Sequence, residues 1–455
     1  MTKTLTLEEI PYRLDSCDLF DSIKDLPGAA FFDSAAPHSL LGRYDILTAC
    51  PEDAGLPGLA AGANEKQCHA FFDELSRFHR DRYCDIQPAT ADIPFCGGIL
   101  GYLEYDAGSG LNKLPGHPAT VTPGGHSPAH LEAYEWAIIQ DHLLQKSVLV
   151  ALPTVSSRRR RELLLRLDRP PLTSGEPFSL TDTFTSNLSD TQYRYAFDQI
   201  LDYIQAGDCY QVNLAQRFSA PFEGDPWLAY RVLRVAASAP FSAYVNLPDG
   251  TAVMSLSPER FISLHGQHVE TSPIKGTRPR YSDAPADQQA ARELRASEKD
   301  RAENLMIVDL LRNDLGRSCT PGSIHVDRLF ELQSFPTVHH LVSTISGELR
   351  PERSAWELLR DSFPGGSITG APKRRAMEII AELEPHPRQV YCGSMLYVSA
   401  DGRMDSNIAI RTLLCDQQQV YCWGGGGIVA DSLWQQEYKE TYDKVGKFLQ
   451  VLEEL

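Results

Sequence analysis

The chain has 455 residues, of which 42% are hydrophobic and 23% charged, and its formal net charge is -17. These proportions are typical of a globular protein, and so acidic a chain lacks the basic surface that duplex nucleic acid requires. The N-terminal sequence has no apolar segment like that of a secretory signal, and no apolar run is long enough to span a bilayer. We therefore expect a soluble cytoplasmic protein that binds neither nucleic acid nor membranes.

The first part of the chain, to about residue 155, mixes strand-like and helical patterns. Apolar residues recur at helical spacing from Cys68 to Tyr83, which predicts a helix there. Residues 108–131 are rich in Gly, Pro and His and predict a long surface loop, whereas Arg158 to Arg161 predict an exposed helix end. Strands are predicted at residues 28–33, 134–140 and 147–152.

Residues 168–188 are rich in Pro, Ser, Thr and Asp and predict a linker between an N-terminal region, 1–167, and a C-terminal region, 189–455. Ser189 is a good N-cap for a helix that ends at Gly207. Further strands are predicted at residues 209–218, 241–247, 252–257, 261–264, 390–399, 407–415 and 420–422. Further helices are predicted at residues 297–314, 354–361, 371–383 and 433–452. This order predicts an α+β or mixed α/β fold with sheets covered by helices.

Two of the predicted helices each carry a pair of carboxylates three residues apart, which places both groups on one helix face. The pairs are Asp300 with Glu303, and Glu437 with Glu440. Acidic groups beside an apolar stripe need a partner, and a set made only of oxygen ligands suits Mg²⁺ better than zinc. Salt bridges to neighbouring lysine and arginine residues are the alternative interpretation.

A lysine in an apolar and tight setting, Lys275 of SPIKGTRPR, is a candidate nucleophile, and Glu259 of SPERF is a candidate acid or base. A lysine reacts only as the neutral amine, and removing its proton at pH 7 costs roughly 4.6 kcal/mol unless its surroundings lower the pKa. A surface lysine in a turn is the alternative interpretation of Lys275.

Three further features are candidates for holding an anion. Thr369 precedes Pro372, which is predicted to lie in the first turn of a helix whose N-terminus would face a ligand. Gly424 to Gly427 follow a predicted strand and would let the backbone approach a ligand closely. Arg411 would hold a carboxylate with two parallel hydrogen bonds, although a structural salt bridge is the alternative.

The chain resembles the chorismate-utilising enzymes, which include the large subunits of anthranilate synthase and aminodeoxychorismate synthase as well as isochorismate and salicylate synthases. The resemblance rests on several motifs in the family's order, SPIKGTRPR, DRAENLMIVDLLRNDLGR, HHLVST, FPGGSITGAPKRRAMEII, IAIRTL, GGGGIVADS and EYKETYDK. It implies an α+β (mixed α/β) fold in which two facing β-sheets are covered by helices.

The resemblance also implies roles for individual residues, carried over from matching motif positions. Glu303 and Glu440 would bind Mg²⁺ directly, with Asp300 and Glu437 close by or acting through water. Around chorismate, the resemblance implies a set of binding residues made up of His340, Thr369, Tyr397, Arg411, Gly425, Gly426, Gly427 and Lys444. Leu396, where the family has glycine, and Trp423, where it has a small residue, depart from the pattern.

Lys275 decides the branch of the family, because anthranilate synthases typically have alanine at this position and aminodeoxychorismate synthases have lysine. The expected reaction is the amination of chorismate to 4-amino-4-deoxychorismate, for 4-aminobenzoate and folate synthesis. Lys275 would be the nucleophile and Glu259 the general acid and base. Ammonia would come from a separate glutamine amidotransferase subunit. The alternative is anthranilate synthase component I.

Several family members hold tryptophan in a pocket of the N-terminal region. The matching positions here are Ser34, Tyr44, Pro240, Phe241 and Ser242. Bound tryptophan, structural or regulatory, is therefore a further expectation.

Overall fold

The structure is a computed structural model, and it describes residues 4–39, 42–86, 93–114, 127–169, 175–335, 338–416 and 418–455. In these ranges the chain forms 22 strands and 11 α-helices. The strands are β1 Thr6–Ile10, β2 Ala30–Asp33, β3 Tyr44–Thr48, β4 Gly98–Leu103, β5 Ala129–Tyr134, β6 Trp136–Asp141, β7 Lys146–Ala151, β8 Ser179–Leu180, β9 Thr185–Ser186, β10 Gln211–Glu223, β11 Phe241–Asn246, β12 Ala252–Ser257, β13 Arg260–His265, β14 His268–Thr271, β15 Ile274–Pro279, β16 His325–Ser334, β17 Val338–Glu348, β18 Gly370–Ala371, β19 Ser394–Ser399, β20 Met404–Asn407, β21 Thr412–Cys415 and β22 Gln419–Ile428. The helices are α1 Cys17–Phe20, α2 Glu65–Tyr83, α3 Ala107–Leu111, α4 Ser157–Leu167, α5 Asp190–Gln205, α6 Pro226–Ala237, α7 Ala284–Ala296, α8 Glu298–Gly316, α9 Ala355–Ser362, α10 Lys373–Leu383 and α11 Trp434–Glu453.

The strands form two antiparallel sheets. The larger sheet has the order β1-β7-β6-β3-β2-β11-β12-β21-β22-β10-β18, with β8 and β9 also paired to β10. The smaller sheet has the order β15-β17-β14-β13-β20-β19-β4-β5, with β16 also paired to β17. Buried side chains from both sheets, among them Val253 and Leu396, belong to one apolar cluster, so the two sheets pack face to face. The expected α+β fold with two facing sheets is confirmed.

Both halves of the chain contribute to both sheets. β2 pairs with β11 in the larger sheet, and β4 pairs with β19 in the smaller one. Within the predicted linker, residues 170–174 lie outside the described residues, and the part that follows contains β8 and β9. Strands that precede this segment in the sequence therefore pair with strands that follow it, in both sheets.

Helix ends follow local sequence. Ser189 caps α5 with its side chain while Gln192 closes a capping box, as the serine at this position predicts. α10 begins at Lys373, two residues later than expected, because Gly370 and Ala371 pair with β10 instead. The arginines from residue 158 lie in the first turn of α4, as expected. None of the helices in the described ranges is long and apolar enough to cross a bilayer.

The loop predicted at residues 108–131 is only partly described. α3 occupies its start, β5 begins at Ala129, and residues 115–126 lie outside the described residues. The strand expected at 407–415 is two strands, β20 and β21, separated by an irregular segment that ends at Arg411. The glycines from residue 424, expected to follow a strand, lie inside β22.

Candidate functional site

Lys275 lies on β15 and points its amine at two acceptors. Nζ donates to the Ser367 carbonyl at 2.9 Å and forms an ion pair with Glu303 Oε1 of α8 at 3.1 Å. Burial alone would lower the pKa of Lys275, but the charges of Glu303 and Glu259 outweigh it and raise the pKa above its ordinary value. In this arrangement of charges Lys275 is an ammonium group.

Glu259 is buried beside Lys275. Its Oε1 accepts a hydrogen bond from the Ser367 hydroxyl at 2.9 Å, and the backbone N–H of Ile274 donates to it as well. Burial raises the pKa of Glu259, although Lys275 and these two donors act in the opposite direction. A carboxyl group with a raised pKa, close to an amine, has the properties of a general acid and base.

Carboxylates of α8 and α11 lie next to two lysines, Lys275 and Lys444. Lys444 of α11 contacts Glu440 Oε1 at 2.7 Å and the Gly425 carbonyl at 2.7 Å. Glu437 Oε2 and Glu440 Oε1 lie 3.2 and 3.3 Å from the position that a Cβ atom on Gly426 would occupy. Glycine at residue 426 thus lets both glutamates approach β22.

Asp300 is held apart from these groups by an ion pair of 3.0 Å with Arg278. Gln211 of β10 donates from Nε2 to Glu303 Oε1 at 2.8 Å, while its own buried Oε1 makes no hydrogen bond to the described residues. Gly427 makes room for Gln211, because a Cβ atom there would lie 1.9 Å from Nε2.

The side chains around Lys275 and Lys444 are next considered as ligands for a metal ion by the number and the kind of their oxygen atoms. In the described part of the chain, no three His, Cys, Asp or Glu residues lie close enough together to hold one. The ammonium groups of Lys275 and Lys444 supply the positive charge beside Glu303 and Glu440. The oxygens themselves, glutamate carboxylates and the unpartnered Gln211 amide oxygen, are of the kind that Mg²⁺ binds. These residues therefore supply the kind of oxygen ligand that Mg²⁺ prefers, while in this structure Lys275 and Lys444 hold Glu303 and Glu440 in ion pairs.

Arg411 interacts electrostatically with both His340 and Glu259. The charge of Arg411 and, above all, burial lower the pKa of His340 to about 4, so the imidazole is neutral at pH 7. Arg411 has a positive φ of 51° and interacts electrostatically with Glu259. Among the described residues, its guanidinium makes no hydrogen bond or ion pair. Such an arginine is available to a carboxylate ligand.

The glycines of β22 present backbone donors at alternate positions. Asn213 and Ala215 of β10 direct their N–H groups away from β22, to Thr369 and Glu384. Asn213 with Gly427, and Ala215 with Gly425, are therefore non-hydrogen-bonded pairs of the β10–β22 ladder. The N–H groups of Gly425 and Gly427 point to the edge of β22 that faces away from β10. In the described chain, β21 covers that edge only as far as residue 422. Two parallel N–H groups thus face the Lys444 side of the strand.

Thr369 occupies a different place from the one expected. It is buried four residues before α10, and its hydroxyl donates to the carbonyls of Gly365 and Gly366 at 3.2 and 3.3 Å. Pro372 precedes the helix as its N-cap instead of lying in the first turn. The Thr369 hydroxyl therefore does not lie at a helix N-terminus, because β18 separates the two, and its expected contact with an anion stays a prediction.

Tyr397 lies in the wall of a cavity between the two sheets. Its side chain lines a cavity of about 150 Å³ between the two sheets, in edge contact with Phe32 and Phe95. Lys275, Glu259 and Arg411 are not among the described residues that line this cavity, and the expected joint contact of Tyr397 and Arg411 with a carboxylate stays a prediction.

The same cavity contains every residue of the expected N-terminal pocket, Ser34, Tyr44, Pro240, Phe241 and Ser242. Arg260 crosses the cavity wall, forming a fork of 3.0 and 3.1 Å with Asp405 and lying 4.9 Å from the Phe241 ring. The Ser34 hydroxyl donates to the buried Asp45 at 2.6 Å. The grouping of these five residues was predictable from the sequence, whereas the part played by Arg260 was not.

Sequence reasoning missed Ser367 and Gln211, which both contact the candidate catalytic groups. Ser367 stands inside the FPGGSITGAP motif, and Gln211 stands at the start of the predicted strand 209–218. Gln211 and Asn213 are polar and lie two residues apart, so they share one face of that strand. A polar face on a predicted buried strand is the signal that could have identified Gln211.

Comparison with known proteins agrees with this geometry. A family model described as chorismate binding enzyme matches residues 48–450. Aminodeoxychorismate synthase component 1 of Salmonella typhimurium is 45% identical over 100% of both chains, and anthranilate synthase component 1 of Streptomyces coelicolor is 39% identical over 82% of this chain and 76% of that protein. The crystal structure of anthranilate synthase component I from Streptococcus pneumoniae superposes with a TM-score of 0.75 at 30% identity, over 90% of this chain and 93% of that one.

Proposed function

The chain belongs to the chorismate binding enzyme family, and we propose that it acts there as an aminodeoxychorismate synthase component 1. The observation that carries the proposal is Lys275, whose amine lies 3.1 Å from Glu303 and interacts electrostatically with Glu259. A protein of that name is 45% identical over the full length of this chain, whereas the anthranilate synthase component 1 of Streptomyces coelicolor is 39% identical over 82% of it. This difference supports aminodeoxychorismate synthase over anthranilate synthase.

The reaction that we propose uses Lys275 as a covalent nucleophile. The ammonium group of Lys275 first gives a proton to Glu259, and the neutral amine then forms a bond to C2 of chorismate while the ring double bonds shift and the C4–O bond breaks. Glu259 passes that proton to the departing hydroxyl, which leaves as water, and takes up a proton from the attached amine. Ammonia then bonds to C4, the double bonds shift back, and the C2–N bond breaks. The lysine nitrogen takes the proton that the new ammonium group at C4 releases, which returns Lys275 as an amine.

Magnesium is part of the proposal. Glu303, Glu437 and Glu440 would hold the ion, and Asp300 is the weaker candidate because Arg278 already neutralises it. When bound, Mg²⁺ would fix the ring carboxylate and withdraw charge from it. The remaining contacts with chorismate would come from the Arg411 guanidinium, the N–H groups of Gly425 and Gly427, and the neutral His340.

Ammonia would come from a glutamine amidotransferase partner. The name component 1, carried by the similar Salmonella protein, is that of one part of a larger enzyme. We expect glutamine to support the reaction only after a partner amidotransferase is added, whereas ammonium salts support it without the partner.

The test of the function is identification of the product by mass spectrometry. Purified protein is incubated with chorismate, Mg²⁺ and excess ammonium at mildly alkaline pH. We expect an aminated product that keeps the enolpyruvyl group and that an added lyase converts to 4-aminobenzoate. Anthranilate with free pyruvate would instead assign the chain to C2 chemistry, the runner-up.

The test of the covalent route is the Lys275→Ala variant, examined for chorismate attached to the protein. We expect the wild-type protein to gain a chorismate-derived adduct without ammonia, and the variant to gain none and to lose C4 amination. Turnover by the variant at the wild-type rate would exclude the covalent route.

For the cavity between the sheets we propose an aromatic amino acid, tryptophan, as the ligand. The cavity brings together Ser34, Tyr44 and Phe241 with the charged pair of Arg260 and Asp405, so that aromatic walls lie beside groups that bind an ammonium or a carboxylate. Calorimetric titration with tryptophan tests this. We expect the wild-type protein to bind tryptophan and the Ser242→Trp variant, whose new side chain fills the cavity, to bind none. Absence of binding heat with the wild type, together with native mass spectra free of ligand, would exclude tryptophan as the ligand.

A further inference from the structure

Ser367 contacts both groups that must exchange protons in the proposed reaction, and the inference about it rests on that proposed function. It is 7% exposed and lies in a 3-10 turn of Gly366–Ile368. Its carbonyl accepts from Lys275 Nζ at 2.9 Å, and its hydroxyl donates to Glu259 Oε1 at 2.9 Å.

The turn around Ser367 is fixed from several sides. Thr369 Oγ1 donates back to the carbonyls at the start of the turn, and Arg388 donates to the Ile368 carbonyl at 3.0 Å. A Cβ atom on Gly366 would lie 2.5 Å from Leu310 of α8, which shows how closely the turn packs on that helix. Side chains held by such a turn keep one orientation relative to α8 and to its Glu303.

We propose that Ser367 is a positioning residue that holds Glu259 in the orientation from which it exchanges protons with the substrate beside Lys275. Its hydroxyl fixes one carboxylate oxygen and thereby the orientation of the carboxyl group. The carbonyl of the same residue holds the amine of Lys275. One residue therefore sets the relative position of the acid and of the nucleophile.

The electrostatic surroundings of Glu259 agree with this geometry. Burial raises the pKa of the carboxyl group, while Lys275, the Ser367 hydroxyl, the Ile274 N–H and Lys444 act to lower it. Arg411 also interacts electrostatically with it. Since the hydroxyl stabilises the carboxylate form, its removal shifts the titration of Glu259 upward.

The test compares Ser367→Ala with Ser367→Thr, which keeps the hydroxyl. Both variants keep the backbone carbonyl, so the comparison isolates the hydroxyl contact. Ser362→Ala is the matched control, because Ser362 is buried in the preceding segment and its hydroxyl makes no hydrogen bond to the described residues. For Ser367→Ala we expect kcat to fall about 10- to 100-fold with KM for chorismate nearly unchanged. Ser367→Thr should recover most of the rate.

A second measurement does not depend on turnover. Infrared difference spectroscopy follows the carboxyl band of Glu259 with pH in the free protein, and Glu259→Gln identifies the band. An upward shift of about 0.5–1 pH unit in Ser367→Ala, absent in Ser367→Thr and in the control, is expected. An unshifted band, or a Ser367→Ala rate equal to that of the control, would overturn the inference. If the wild type yields anthranilate, the proposed function fails, and the band shift still decides the role of Ser367.

Discussion

Replacing Lys275 with methionine removes the ammonium group from the Glu303 carboxylate and keeps most of the apolar volume of the side chain. At the observed 3.1 Å, Coulomb's law with an effective dielectric constant of about 20 gives an attraction of roughly 5 kcal/mol. Both groups are partly buried, at 12% and 19% exposure, and their desolvation offsets most of this attraction. A net value of about 1–2 kcal/mol remains.

A divalent cation at Glu303 must displace this ion pair. Removing the lysine removes the competition, so Lys275→Met should bind Mg²⁺ about tenfold more tightly, because 1.4 kcal/mol corresponds to a factor of ten. Isothermal titration of metal-stripped protein with Mg²⁺, in the absence of chorismate, measures the effect directly.

The matched control for this experiment is Lys299→Met on α8, the helix that carries Glu303. Lys299 is exposed and interacts with Glu437 only through space, so its loss should change Mg²⁺ affinity less than twofold. Equal affinity in Lys275→Met and wild type would refute the competition between lysine and metal. An equal gain in Mg²⁺ affinity in both variants would show that the change in net charge, and not the ion pair with Glu303, causes the effect.

The remaining predictions concern binding and stability. Arg411→Lys should raise KM for chorismate about 10- to 100-fold in initial-rate assays, because the two-pronged carboxylate contact is lost, whereas Tyr397→Phe should leave KM within about twofold. His142→Gln should lower stability to urea more at pH 5.5 than at pH 8.5. The buried carboxylate beside it raises the pKa of His142, so the contribution is complete below the unfolded value of about 6.5 and is lost as pH rises through the folded one; equal losses at both pH values would contradict this. Glu384→Gln should cost about 3–5 kcal/mol in urea denaturation, since it leaves Arg388, at 2% exposure, without its ion pair.

Local patterns in the sequence were enough to predict many elements. β12 has the bounds that its apolar run predicts, and α5 begins at the serine that caps it. Gly425 and Gly427, singled out by the resemblance to the family, direct their N–H groups to the same edge of the strand, and their contact with a ligand stays a prediction. Such features depend on neighbouring residues only.

Positions that depend on tertiary pairing were not predictable. Tyr397 and Leu396 occupy opposite faces of β19, and only the register with β4 and β20 decides which face meets which cavity. Thr369 lies away from a helix terminus because its neighbours pair with β10, a contact between residues far apart in sequence. Ser367 was missed for the same reason, since Lys275 and Glu259 reach it from distant strands.

The division of both sheets between the two halves of the chain has a consequence for biosynthesis. β2 leaves the ribosome early, yet its neighbour β11 begins at Phe241. At about 5–20 residues per second, synthesis of the roughly 200 intervening residues takes about 10–40 s. During that time the edge of β2 has unpaired N–H and C=O groups that a strand of another nascent chain can join. We therefore expect a chaperone that covers the emerging N-terminal half to raise the yield of active protein.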